Sequence, residues 1–486
     1  MRRRDFIGVV GGLAGSGLPA WPLMAQAQQP TPPAAAPAIK PAQAIAEFVT
    51  GFDLKNAPQI VIDRARVAFV DTVGVMLAGS QHHPTDIICD VIKLEGSAPA
   101  ATIVGRDLRA TPQLAALANG VSGHAMDYDL TYFAGQSIAP LIPAILPIAE
   151  VTKSSPSEIL SAFIIGAEVC GRMSRAAPTM SRTAGWHATG TVGTMAAAAA
   201  CARLLKIPST AIPDIMGITA SLASGVTANF GTMTKPLHSG HAARDGILAV
   251  QLGSKGFTAS ATALEGRDGF FENFARGLER TMEPFNDLGK SYDLEKYGYK
   301  VKPYPSGGLG HTAIDAALEL RGGVPLADIA KVEVAITKYA GRRYTSTYPQ
   351  TVENAKFSGP YLAAYTLVHG APMLAAFTEE ALHDEAVRAF ARKVTLTTYQ
   401  EHADVLDESP AKVTVTLNDG QQFERAKYYP SGSVQVPMTR AQIEEKFTVC
   451  ATTAIKPDAA KKILAMLSTI GEQPSFDELW PLLRKG

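Results

Sequence analysis

Only four cysteines occur in the 486 residues, Cys89, Cys170, Cys201 and Cys450, and they are too widely spaced for a CxxC redox pair, a cysteine zinc site or a disulfide scaffold. They sit mostly in apolar helical runs and read as buried free thiols, although an oxidising compartment permits one bridge. Neither sign of charge is in surplus, with 45 Lys and Arg against 45 Asp and Glu, which argues against a nucleic-acid partner. A GxxxxGK[ST] loop and a strand-led dinucleotide fingerprint are also missing, so nucleotide binding is disfavoured. Beyond the first residues no apolar run is a candidate membrane span, and no repeat of solenoid period is visible.

What is present begins with Arg2-Arg3-Arg4-Asp5-Phe6-Ile7, a Gly-rich weakly apolar stretch to Leu23, and Ala25-Gln26-Ala27. That order predicts a twin-arginine export signal over 1–27, read by the twin-arginine translocase, and hence a periplasmic protein without a membrane anchor after cleavage. Removing Arg2, Arg3, Arg4 and Asp5 leaves 42 basic and 44 acidic residues, a net charge near −2. Residues 28–41, rich in Pro, Ala and Gln, read as a flexible linker.

From Ala42 onward the pattern is helical, with Pro112, Ser157 and Gly193 each near the start of an apolar or Ala-rich helix, the last predicted to be buried nearly all round. The texture changes after about Leu294. Strand alternation appears at 331–337, 393–399 and 412–426, the last as a hairpin about Asn418-Asp419-Gly420. Helical pattern resumes from Thr439. The expected fold is mainly α: a large discontinuous helical domain (42–296 and 434–486) plus a smaller α+β lid (297–433).

Three segments concentrate polar residues in apolar or Gly-rich surroundings. His124-Ala-Met-Asp127-Tyr-Asp129 follows an Ala/Leu helix, where Asp127 either orients a partner or is an exposed acidic turn. Gly185-Trp-His187-Ala-Thr-Gly-Thr-Val-Gly193 resembles a glycine loop at a helix start suited to an anion, with His187 as an acid/base candidate. Thr234-Lys235-Pro-Leu-His238-Ser-Gly-His241-Ala-Ala-Arg-Asp245 offers a cation that can stabilise an enolate-like charge. Its two His and one Asp at i, i+3 and i+7 also suggest a metal-hydrolase reading, but they form no recognised metal motif, and no metal is expected.

Together, LANGVSGHAMDYDLT (117–131), GWHATGTVG (185–193), TKPLHSGHAARDG (234–246), GFTASATALEGRDGFF (256–271), KPYPSGGLGHTAIDAALEL (302–320), AKFSGPY (355–361) and PMTRAQIEEKF (437–447) resemble the MmgE/PrpD family. That family contains 2-methylcitrate dehydratase, cis-aconitate decarboxylase and iminodisuccinate epimerase. The resemblance implies a homodimer, a small di- or tricarboxylate substrate, and a site between domains with no cofactor. By position it implies His187 as acid/base, Asp127, Lys235, Lys302 and Tyr361 as further catalytic residues, and Thr131, Gln136 and His124 as substrate-binding residues.

The chain departs from the family pattern at Leu130, where many members have a second Asp, and at Gln136-Ser137, where a second His would stand. Glycines 307 and 308 occupy a spot often filled by a side chain. Gln can hydrogen-bond a substrate but cannot shuttle a proton. The expected activity is proton abstraction beside a carboxylate, with dehydration in first place and epimerisation or decarboxylation as alternatives. A non-catalytic exported carboxylate-binding protein is the rival reading.

Overall fold

The computed structural model describes residues 40–133, 135–399 and 409–484. The expected export signal and nearly all of the linker therefore lie outside the described residues.

Two large hydrophobic cores, with two smaller clusters beside them, organise the described residues. The first is built from helices of both chain ends, running from Ala42 to Val301 and returning with Ile443 to Leu483. The C-terminal helix Arg440–Ala451 packs on the early helix Gln59–Gly79, where Gly74 leaves room for Phe447. At the centre lies Val192–Leu204, whose alanines are all buried. Alanine keeps neighbouring helices close on every side at little entropic cost.

The second core starts at Tyr304 and belongs to the lid. Its sheet has strands β1 (Ile329–Thr337), β2 (Val394–Tyr399), β3 (Ala411–Leu417) and β4 (Gln422–Lys427) in the order β2-β1-β3-β4. The β1/β2 pair is parallel (Val332 opposite Val394) and the other two pairs are antiparallel. Helices His311–Arg321 and Gly359–His369 pack on the sheet. The change of core falls between Val301 and Tyr304, a few residues after the boundary expected at 296/297, because Val301 is still packed in the helical core.

One helix pair sets up the site. Pro112–Ala125 and Thr234–Gly253 run antiparallel, with Gln113 bonded to Gln251 at one end and His124 to Lys235 at the other. Between them Gly120 and Gly240 meet so closely that a Cβ on Gly120 would lie 2.6 Å from the Gly240 Cα. Only glycine permits that approach, and it brings the two polar segments together.

Candidate active site

Past the end of the Pro112–Ala125 helix the chain turns sharply at Asp127, whose φ of 51° lies in the left-handed region that Asp tolerates better than most residues. The turn buries the Asp127 carboxylate, which is 3% exposed and so is not the solvent-facing acidic turn allowed by sequence. Its Oδ1 accepts from Gln136 Nε2 at 2.8 Å, pairs with Lys235 Nζ at 3.2 Å, and is in direct contact with Lys302 Nζ. Oδ2 has no partner. Burial opposes ionisation here, but Lys235 and Lys302 outweigh it and hold the carboxyl well below the usual range.

Lys235 is also buried, and burial pulls its ammonium below the ordinary lysine value against the opposing pull of Asp127. It donates to His124 Nε2 at 3.1 Å, which makes Nε2 an acceptor and leaves the proton on Nδ1, 3.0 Å from both Asp129 oxygens. Asp129, His124 and Lys235 thus form one chain of contacts. His124, which the resemblance implied as substrate-binding, stands behind Lys235 and is not among the residues lining the cavity.

His187 is 2% exposed, and both of its ring nitrogens are engaged. The Thr189 hydroxyl donates to Gln136 O at 2.8 Å, so His187 Nε2 must donate to that hydroxyl at 3.0 Å, leaving Nδ1 to accept from His238 Nδ1 at 2.9 Å. Burial, followed by the repulsion of His124, Lys235 and His238, keeps the ring neutral. The loop also fails as an anion cradle. Its amides at Gly190, Thr191, Gly193 and Thr194 are bonded to carbonyls of His187, Ala188 and Thr191. His238 serves His187, while His241 Nδ1 turns to Asp245 at 3.4 Å. Among the described residues no three His, Cys, Asp or Glu side chains converge as a metal site.

These groups surround a cavity between the helical domain and the lid, with Asp127, Thr131, Gln136, His187, Lys235 and Lys302 all on its wall. Lys302 donates to Asp127 O at 2.9 Å and Ser306 O at 3.2 Å, so its head is held by backbone as well as by charge. Gly308 leaves the space beside it open, and a Cβ there would lie 3.4 Å from Lys302 Cε. Tyr361 is placed elsewhere. It is fully buried in the lid core, its ring among Tyr348, Tyr365 and Phe377 and its hydroxyl donating to Ala376 O. It is not among the residues that line the cavity.

Several lining residues were not singled out from the sequence: Lys300, His311, Arg343, Tyr344, Phe230 and Phe357. His311 is pushed down to about 3 by burial and by Lys302. Among the described residues, Lys235, Lys302 and Arg343 line the cavity with one carboxylate, Asp127. Such a wall suits a ligand with more than one negative charge.

A helical domain closed by a mixed lid, with a cation-rich cavity at their seam, is a two-domain architecture that family comparison identifies. The chain matches the MmgE/PrpD N-terminal domain over residues 43–282 and the MmgE/PrpD C-terminal domain over residues 304–471, and it belongs to that family. Among its relatives is the cis-aconitate decarboxylase of Homo sapiens, 26% identical over 91% of this chain and 94% of the relative. Cis-aconitate decarboxylases of Mus musculus (24%, 91% and 93%) and Aspergillus terreus (25%, 90% and 95%) are similar over comparable spans. All four cysteines are buried and unpaired.

Proposed function

We propose that this protein is a lyase that releases CO2 from a small unsaturated tricarboxylate of the cis-aconitate class. The observation that carries the reading is the cavity wall itself, where Lys235, Lys302 and Arg343 stand with Asp127 as the one carboxylate among the described residues. The relatives named as cis-aconitate decarboxylases support the same substrate class.

Proton economy favours decarboxylation over the dehydration expected first from sequence. Dehydration and epimerisation each need a base to remove a C–H proton. His187 has both nitrogens engaged, Gln136 cannot carry a proton, and Asp127 is held so far down that it is a weak base. Loss of CO2 needs no base. The C–COO⁻ bond breaks, its electron pair passes into the conjugated carboxylate as an enediolate, and one proton returns to carbon.

Lys235 and Lys302 stabilise the enediolate, an electrostatic contribution of about 3 to 4 kcal/mol for a well-aimed donor. Lys235 delivers the proton. Two of its N–H groups hold His124 and Asp127, the third is left for the ligand, and burial makes the ammonium a better acid.

The test is incubation of the purified protein with cis-aconitate in D2O, followed by NMR and CO2 detection. CO2 release with one new C–D bond, reduced about 100-fold or more in Lys235→Met, is the expected result. Deuterium exchange or hydration without CO2 would replace decarboxylation by one of the other family chemistries. Binding without turnover would make the protein a carboxylate carrier.

A further inference from the structure

The ammonium groups of Lys235 and Lys302 share Asp127 Oδ1, so they lie side by side and fit two neighbouring carboxylates. A third carboxylate needs a partner further along the cavity. We propose that Arg343, carried by the lid, is that partner and decides whether a ligand with three carboxylates is preferred over one with two. This inference rests on the polycarboxylate reading above.

Arg343 lines the cavity and is half-buried. Its backbone is fixed. Strand β1 ends at Thr337, whose side chain caps the short helix Lys338–Gly341, and the Arg343 N–H donates to Ala340 O at 2.8 Å. The next residue, Tyr344, bonds Gly307 O by its hydroxyl, which ties this segment to the turn beside Lys302. Yet the Arg343 guanidinium has no hydrogen-bond acceptor and no ion-pair partner among the described residues. It rests on two aromatic faces, with Cζ 5.1 Å from the centre of the Phe230 ring and 5.9 Å from that of Tyr339.

Phe230 also gives the scale. Lys235 Nζ lies 5.4 Å from the same ring centre, so the two cations can be no further apart than the sum of the two distances. One small polyacid can therefore bridge Lys235 and Arg343 while a second carboxylate stays on Lys302. A guanidinium stacked on rings keeps its N–H edge directed outward, and that planar edge matches a carboxylate in a way an ammonium does not. Among the described residues none of its five N–H donors has a protein acceptor.

The experiment compares succinate, which has two adjacent carboxylates, with tricarballylate, which is succinate carrying a further carboxymethyl group. Binding of each to the full-length protein is measured by calorimetry for the wild type, Arg343→Met and Arg343→Lys. The expected result for Arg343→Met is a 10- to 100-fold loss of tricarballylate affinity with succinate changed less than threefold. Arg343→Lys should fall between, and methylguanidinium should partly restore the Met variant. For the substrate, KM should rise more than kcat falls. An unchanged preference in Arg343→Met, or equal loss of both ligands, overturns the assignment and leaves Arg343 as a packing residue. If the wild type binds neither acid, the polycarboxylate reading fails instead.

Discussion

Asp127→Asn separates the structural work of this carboxylate from its effect on the ligand. The substitution keeps the shape and removes the counter-charge of two buried ammonium groups, Lys235 at 3.2 Å and Lys302 in direct contact. Breaking a buried ion pair from one side costs about 3 to 5 kcal/mol, so the variant should melt several degrees below the wild type. The ligand should respond in the opposite sense. Removing one negative charge about 5 Å from a bound anion relieves about 3 kcal/mol of repulsion at an effective dielectric constant of about 20. Tricarballylate should therefore bind about 100 times more tightly and raise the variant's melting temperature more than that of the wild type. Turnover should move separately. Asp127 is the main group holding the Lys235 ammonium up against burial, so its loss lowers that value further and shifts the alkaline limb of kcat to lower pH. Thermal shift with and without tricarballylate, together with a pH series of CO2 release, checks all three effects. A variant as stable as the wild type that binds the acid no better would refute the reasoning.

His311→Gln should reveal a buried neutral histidine. The folded ring titrates at about 3 and the unfolded one near 6.5, so below pH 6.5 the unfolded chain binds the extra proton and the wild type loses stability, about 2 kcal/mol by pH 5. The wild type's advantage over the variant should shrink by that amount between pH 8 and pH 5 in urea titrations, and a pH-independent difference would count against it. Gly308→Ala should fold normally and raise KM several-fold, because its methyl enters between Lys302 and Thr131, whereas Gly432→Ala should not fold, with φ at +82° and a Cβ only 1.8 Å from Val301 O; soluble yield and KM distinguish the two. Lys446→Met should cost about 3 to 5 kcal/mol by stranding Asp71, 2.6 Å away, while the double variant with Asp71→Asn should cost less than the two singles added together; additivity in denaturant titrations would contradict the pairing.

Much of the architecture could be read from sequence where the signal is local. The alternation of β1 and of the Ala411–Lys427 hairpin, the glycine at 420 with its φ of +88°, and the alanine run in Val192–Leu204 each state their structure within a few residues. The site was legible as a set of segments, and the cavity unites six of the eight candidate residues. What failed depends on distance or facing. Gly359–His369 is buried on most sides, so its pattern cannot tell whether Tyr361 faces the cavity or the lid core. Arg343 lies after a strand in a stretch with another Arg beside it, and its place on the cavity wall is set by the Thr337 cap and the Tyr344 contact with Gly307. The helix start at Val192 looked open to an anion because sequence does not show that its own loop satisfies those amides.

The C-terminal segment supports the site although none of its described residues lines the cavity. Lys446, on the helix Arg440–Ala451, donates to Tyr128 O and Lys302 O, each at 2.9 Å, and pairs with Asp71 from the early helix Gln59–Gly79. One buried ammonium therefore fixes the backbone next to Asp127 and the backbone of Lys302, the two ends of the shortest ion pair in the cavity. A charge placed there is costly to desolvate and would be replaceable by a methionine if only packing were needed. Its two carbonyl contacts supply what an apolar side chain cannot, a defined distance between segments 175 residues apart in sequence. The Asp127–Lys302 pair is thus braced by a helix from the far C-terminal part of the chain, so the charge pattern of the cavity draws on both cores and on both ends of the helical one.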